Sequence, residues 1–294
     1  MNNSENKLSW TGERLVTELI NHEASLDHLH RYARARELAV GLDVLDIASG
    51  EGYGSNLLAQ VARSVVGVDI AQEAVDFSNS KYKRSNLTFR QGSASAMPLP
   101  DASIDVIVSF ETLEHHHLHD EMFLEIKRVL RPKGLLIMSS PEKSTYQELD
   151  PDNPFHVKEL NLVEFRTLIE KYFGHYKMLY QRYLEASVLT VEDEVGALVE
   201  YTGDFDSVES NVGLKKWYYN ICIASDAELQ PVAPSVFRRK DAPASPWAIA
   251  WQNEQKRELK LQEQIQSIYD SHTYRIGRLV TAPLRFLKKD SSGK

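Results

Sequence analysis

The segment Val44-Leu-Asp-Ile-Ala-Ser-Gly-Glu-Gly-Tyr-Gly54 constrains the fold more than any other part of this chain. It joins a short apolar run, an acid within it (Asp46), and glycines at alternate positions, Gly50, Gly52 and Gly54. Glycine lacks a Cβ and adopts left-handed backbone angles without penalty, so such a turn admits a close approach. The pattern predicts a buried strand turning tightly into a helix, the opening unit of a doubly wound α/β sheet. A second apolar run, Ser64 to Val68, ends in Asp69. An acid one strand after a glycine turn is placed to accept hydrogen bonds from ribose hydroxyls.

Details of the turn select the ligand. Dinucleotide sites use G-x-G-x-x-G around a pyrophosphate, whereas the spacing here is G-x-G-x-G with Asp46 four residues before the first glycine. A carboxylate there repels a pyrophosphate and suits a cationic ligand with a free amino group. The stretch Asp46-Ile-Ala-Ser-Gly-Glu-Gly-Tyr-Gly54 resembles the first motif of class I S-adenosylmethionine-dependent methyltransferases. Further elements follow in matching order. Asn86 to Gly92 reads as a third strand and Ile104 to Phe110, with Asp105, as a fourth. Asp120 to Arg131 reads as a helix with Met122, Phe123, Ile126, Val129 and Leu130 on one face. Arg131-Pro132-Lys133-Gly134 stops it, and Leu135 to Ser140 makes a fifth strand. The run from Arg128 to Pro141 also resembles its family counterpart.

The resemblance implies an α/β fold: a Rossmann-like, seven-stranded sheet with an N-terminal helical segment and a C-terminal helical tail. It implies S-adenosylmethionine as cofactor, held by Asp46, Ala48, Ser49, Gly50, Gly52, Gly54, Asp69, Ile70, Gly92, Ser93, Ala94 and Phe110. Ser93 departs from the family, which usually places an acid near the adenine. Gly12-Glu13-Arg14 and His30-Arg31-Tyr32-Ala33 resemble a paired motif of methyltransferases encoded with surface-polysaccharide genes. On that likeness Arg31 and Tyr32 close over the cofactor, an arginine pairing its carboxylate bidentately.

Four stretches are expected: an N-terminal arm and helix over 1–41, a cofactor-binding core over 42–226, a linker over 227–246, and a tail over 247–294. The helix of the first runs from Ser25 to Val40, another from Glu159 to Phe173. Tyr176 to Tyr183 and Trp217 to Ala224 read as two antiparallel strands at one sheet edge. Between them, residues 183–214 carry eight acids and no Lys or Arg, which reads as an acidic insertion or a solvated loop. A net charge of −8 disfavours a nucleic-acid partner. Cys222 is the sole cysteine, so no intrachain disulfide forms and a reducing compartment is expected. The first fifteen residues are polar and lack a signal-like apolar run, and nothing approaches the ~20 apolar residues of a span. A cytoplasmic protein is expected, peripheral at the inner membrane face if its tail docks there.

Chemistry belongs beyond the fourth strand, because open α/β sheets bind ligands outside the carboxyl ends of their strands. Glu111, Glu114, His115, His116 and His117 follow it. Methyl transfer is an in-line displacement, and a hydroxyl acceptor must also lose its proton. His115 is the leading candidate base, with His156 second. Glu111, Glu114 and His115 also match the E-x-x-E-H segment of quinone O-methyltransferases, which implies a divalent cation such as Mg²⁺. A purely structural role for the cluster is the third reading.

The N-terminal motif points to a carbohydrate or sugar-nucleotide acceptor, as in surface-glycan (O-antigen type) biosynthesis. A small phenolic, quinone or amino acceptor is the alternative, and a non-catalytic scaffold the rival from another class. In the tail, Trp251, Glu254, Glu258, Leu261, Ile265 and Ile268 keep heptad spacing in a helical stretch, two glutamates weakening the seam. Arg275, Arg278, Arg285, Lys288 and Lys289 then alternate with apolar residues, which suits an anionic membrane surface. Glycan-assembly enzymes, that membrane or a second copy in a homo-oligomer are the partners expected of it.

Overall fold

The computed structural model describes residues 22–151, 153–184, 196–203, 207–238 and 246–271, with 17, 189 and 276. The chain divides into two compact units, residues 1–237 and 238–294. In the first, helix α1 (His22–Leu38) precedes β1 (Asp43–Ile47), α2 (Tyr53–Leu58), β2 (Ser64–Asp69), α3 (Gln72–Lys81) and β3 (Leu87–Gln91). Then come β4 (Ile104–Phe110), a 3₁₀ turn (Leu113–His115), α4 (His119–Val129), β5 (Leu130–Pro141), α5 (Lys143–Tyr146) and α6 (Leu162–Tyr172). Strands β6 (His175–Gln181), β7 (Val199–Gly203), β8 (Val208–Val212) and β9 (Tyr219–Ser225) complete the unit. Helix α7 (Pro246–Asp270) lies in the second unit.

Seven strands form one sheet in the order β3-β2-β1-β4-β5-β9-β6. Neighbours from β3 to β5 are parallel, while β9 runs antiparallel to both β5 and β6. Side chains alternate across this sheet with the period of two that a pleated strand imposes. Leu45, Ile107, Leu136 and Met138 point into one core, closed by Met122, Phe123 and Ile126 of α4 and Phe165 and Ile169 of α6. Val44, Val106, Val108 and Ile137 point into the other, closed by Ala35 and Ala39 of α1, Leu58 of α2 and Val75 of α3. Both faces are covered, so the central strands are nearly continuous apolar runs.

Helix α6 starts where the sequence can satisfy its first N–H groups. Asn161 accepts from the Glu164 amide at 3.0 Å and Glu164 returns the bond to the Asn161 amide at 2.9 Å. Helix α4 stops at Val129, two residues before the expected end, and strand geometry begins at Leu130. Pro132 disfavours helical angles in the residue before it, which moves the boundary upstream. Residues 131–134 make an irregularity: the ladder to β4 pairs Ile104 with Leu130, then Val106 with Leu135.

Two other stretches differ from expectation. Part of the acidic insertion is ordered as a hairpin, β7 against β8, rather than loop; residues 185–188, 190–195 and 204–206 of it lie outside the described residues. Residues 227–237, expected within the linker, belong to the first unit. Leu229 and Val232 pack on its core, and the Ala233 carbonyl accepts from Arg34 at 2.9 Å. Gly12, Glu13, Arg14 and the basic segment 273–289, apart from Ile276, also fall outside the described residues. Among the described residues no helix is long and apolar enough to cross a membrane.

Candidate functional site

The strand order reverses direction between β1 and β4, and a crevice opens at such a switch point beyond the strands' carboxyl ends. Two non-glycine residues there hold left-handed angles, Ala48 after β1 (φ 58°) and Glu111 after β4 (φ 52°). Such angles cost free energy and cluster at functional sites. Between Ala48 and α2 lies the glycine turn. Gly52 has φ 86°, and a Cβ on it would stand 2.7 Å from the Phe89 ring. A Cβ on Gly54 would fall 1.9 Å from Cζ of Tyr32. The third glycine thus makes room for an aromatic side chain of α1.

Tyr32 is buried and ties the ends of β1 and β4 together. Its hydroxyl donates to Asp46 at 3.2 Å, and its ring meets Phe110 edge-on at 5.0 Å between centroids. Ser55 donates to the same carboxylate at 2.6 Å. Burial pushes the Asp46 carboxyl up to about 7; the Ser55 and Tyr32 bonds oppose this, and the charge of Asp69 adds to it. Asp69 accepts from the Gly50 amide at 2.8 Å and the Ala71 amide at 2.9 Å, tying the end of β2 to the glycine turn.

Next to Tyr32, the Arg31 side chain is buried, with Nη1 2.6 Å from a Glu111 carboxylate oxygen and 3.0 Å from Ser139 Oγ. Its guanidinium lies 4.6 Å from the centroid of the Tyr219 ring. Nε and Nη2 of Arg31 are buried and have no hydrogen-bond partner among the described residues. Buried donors left unpaired cost about 1–3 kcal/mol, more when charged, and these two form half of a fork that fits a carboxylate. Ser139 and Tyr219 belong to this site although no sequence pattern marks them; β5–β9 pairing brings their strands together.

The 3₁₀ turn after β4 carries Glu114 and His115. Glu114 is 1 % exposed, its Oε1 has no partner among the described residues, and Ser140 donates to Oε2 at 3.4 Å. Burial and then the Glu111 charge push its carboxyl well above the usual range. The Glu114 carbonyl accepts from the amides of Val157 at 2.8 Å and Lys158 at 3.0 Å, which docks the loop bearing His156 beside it. The His115 and His156 rings are 5.3 Å apart, edge to face. Ligand atoms of Glu114, His115 and His156 all lie within 4.8 Å of one another. Glu111, expected beside Glu114 and His115 as a metal ligand, gives its Oε1 to Arg31, and the residues that come together are Glu114, His115 and His156. Glu159, unmarked in the sequence reading, meets His156 Nδ1 at 2.6 Å; its signal is the three-residue spacing.

The remaining expected residues have plainer places. Ser49 donates its amide to the Val68 carbonyl at 3.0 Å, and Gly92 donates to the Asp69 carbonyl at 3.0 Å. A Cβ on Gly92 would stand 2.5 Å from the Pro98 ring. Ser93 Oγ meets Ser95 Oγ at 3.0 Å, Ala94 packs on the core, and Ile70 is 73 % exposed just past Asp69. Glu51, between two of the glycines, is wholly buried, accepting from Thr17 Oγ1 at 2.6 Å and pairing with Lys81. Glu51 thereby anchors Thr17 to α3.

Residues 45–138 match the protein family described as methyltransferase domain. A Mycolicibacterium smegmatis protein named probable S-adenosylmethionine-dependent methyltransferase is 39 % identical over 166 residues, 55 % of this chain and 64 % of that protein. The phthiotriol/phenolphthiotriol dimycocerosates methyltransferase 1 of Mycobacterium ulcerans is 30 % identical over 153 residues, 50 % of this chain and 53 % of that protein. The chain thus spans less than two thirds of the length of these curated relatives. Among solved structures, the YcgJ protein of Bacillus subtilis superposes with a TM-score of 0.51 at 17 % identity, covering 68 % of this chain and all of that one. A chain of the Haloferax volcanii complex between the Trm112 methyltransferase activator and a methyltransferase gives 0.52 at 16 %, covering 70 % of this chain and 90 % of that one. These superpositions establish the Rossmann-like methyltransferase fold of the sheet unit.

Proposed function

We propose that this chain, which carries a class I methyltransferase domain over residues 45–138, transfers a methyl group from S-adenosylmethionine to an acceptor oxygen. The observation that carries the reading is Arg31, buried beside the switch point with Nε and Nη2 unpartnered among the described residues. These atoms suit the carboxylate of the cofactor's amino-acid end. Asp69, at the end of β2, suits its ribose, and Asp46 offsets positive charge near the turn. When bound, the cofactor supplies a methyl group on a positively charged sulfur, open to in-line displacement. The protein's share is orientation and exclusion of water. Tyr32 and Phe110 pack edge-on over the turn, and Glu111 holds Arg31 in place.

The acceptor side is the cluster of Glu114, His115 and His156. An alcohol attacking carbon forms its C–O bond as the C–S bond breaks and must release a proton. The paired motif around His30-Arg31-Tyr32-Ala33 favours a glycan hydroxyl, free or nucleotide-linked. A second reading, a lipid hydroxyl or carboxyl, is favoured by relatives that include a fatty-acid O-methyltransferase of Mycolicibacterium smegmatis, 29 % identical over 120 residues. The basic, apolar tail fits either acceptor if it docks on an anionic membrane.

Incubation with methyl-labelled cofactor and three acceptor pools separates the readings: nucleotide sugars, lipid-linked glycan and free fatty acids. Label in either glycan pool supports the first reading, and label in fatty acid alone the second. Label in none, with cofactor bound, overturns acceptor-oxygen transfer to these classes and favours a cofactor-binding scaffold.

A further inference from the structure

We propose that Glu114, His115 and His156 form a binding site for a divalent transition-metal ion of the zinc, cobalt or ferrous class. The hydrogen bonds around the cluster set its chemistry. His115 Nδ1 lies 3.1 Å from the Phe155 carbonyl oxygen. A carbonyl only accepts, so Nδ1 carries the proton and Nε2 keeps its lone pair. His156 Nδ1 donates in the same way to the Glu159 carboxylate at 2.6 Å, again leaving Nε2 as the free donor atom. A histidine whose second ring nitrogen is held by a carbonyl or carboxylate is how proteins orient imidazole toward a metal. Here two neighbouring histidines are held so, by different partners, in one cluster.

The third ligand meets an independent requirement. Glu114 is 1 % exposed, and its Oε1 has no partner among the described residues. A buried carboxylate oxygen without a donor is costly, and a cation within the cluster would satisfy it. One atom able to ligate from each of the three side chains already lies within 4.8 Å of the others. Donors on one tetrahedral ion sit about 2.1 Å from it and hence ~3.4 Å apart. A single ion would therefore draw the three side chains together by rotation about their χ angles.

Two imidazoles and one carboxylate identify the class of ion. Imidazole suits zinc, iron, cobalt and nickel, whereas Mg²⁺ prefers oxygen ligands and keeps several waters. Glu111, the second carboxylate of the Glu111, Glu114 and His115 set, gives its Oε1 to Arg31 at 2.6 Å and is not part of the group that lies within 4.8 Å. Three protein ligands leave a coordination position open, as at catalytic rather than structural sites. An acceptor oxygen bound there would ionise more readily. That role rests on the methyl-transfer reading; the metal site itself does not.

Titration of the full-length, untagged protein with Co²⁺, followed by visible d–d absorption, tests the site. The expected result is a band that saturates at one equivalent, is displaced by Zn²⁺ and persists in a large excess of Mg²⁺. His156→Ala should abolish the band, and Glu159→Gln should weaken Co²⁺ binding about 10–100-fold while leaving the band in place. The exposed His117→Ala serves as the control and should titrate like the wild type. Circular dichroism and cofactor binding on the same samples separate unfolding from loss of the site. Absence of a saturable band in the wild type, its survival in His156→Ala, or its displacement by Mg²⁺ would overturn the proposal. A protein that binds Co²⁺ as expected but not S-adenosylmethionine would keep the metal site and remove the methyl-transfer reading.

Discussion

Two buried charges, Arg31 and Asp46, decide most of what the site can do. Arg31 spends one nitrogen on Glu111 and Ser139 and leaves two for a ligand. Lysine keeps the charge but not the fork, so Arg31→Lys should weaken S-adenosylmethionine binding about 10–100-fold by calorimetry, the loss of one or two charge-assisted bonds. Asp46 carries the pH dependence. Its carboxyl is raised by burial to about 7 in the ligand-free protein, against about 4 unfolded. Its contribution to ligand-free stability is therefore full below pH ~4 and is lost as pH rises through about 7. A cationic cofactor favours the ionised form, so its affinity should rise with pH and level off above about 7. In Asp46→Asn the affinity should be flat over that range; an unchanged slope would show that another group titrates. Asp46 and the glycines were legible because motif and strand are contiguous. Ser139 and Tyr219 were not, since Arg31, which they meet, lies on α1, far from them in the chain.

Among the elements, α1 matters to the site more than its position ahead of the sheet would imply. Its Tyr32 fills the space a Gly54 side chain would occupy, and overpacking a rigid core costs roughly 1–3 kcal/mol. Gly54→Ala should lower the thermal midpoint by several degrees, and Tyr32→Leu in the same chain should recover part of it. Equal losses in the single and double variants would remove Tyr32 from the explanation. The end of α4 shows a different limit of sequence reading. Apolar periodicity continued through Leu130, but Pro132 acts on the backbone before it and the helix yields at Val129. In the acidic stretch, a lack of apolar periodicity gave no sign of the β7–β8 hairpin, whose apolar Val199, Tyr201, Val208 and Val212 are themselves exposed.

Taken whole, the chain is two compact units, and the sheet unit holds every residue of the candidate site. A chain ending at Phe237 should unfold cooperatively and bind S-adenosylmethionine within about twofold of the full-length protein. One ending at 226 should be less stable, because it loses Leu229 and Val232 from the core and the carbonyl that Arg34 holds. Sedimentation of full-length and truncated protein would show whether α7 and the basic segment bring copies together. The sequence by itself determined the sheet and the cofactor turn, because alternating burial, glycine geometry and proline are local constraints that each residue carries with it. Only the tertiary structure decided that Glu111 serves Arg31, that His156 joins Glu114 and His115, and that Tyr32 fills the third glycine. Those choices depend on distances between segments up to 80 residues apart in the chain, where no spacing rule reaches and packing alone selects the partner.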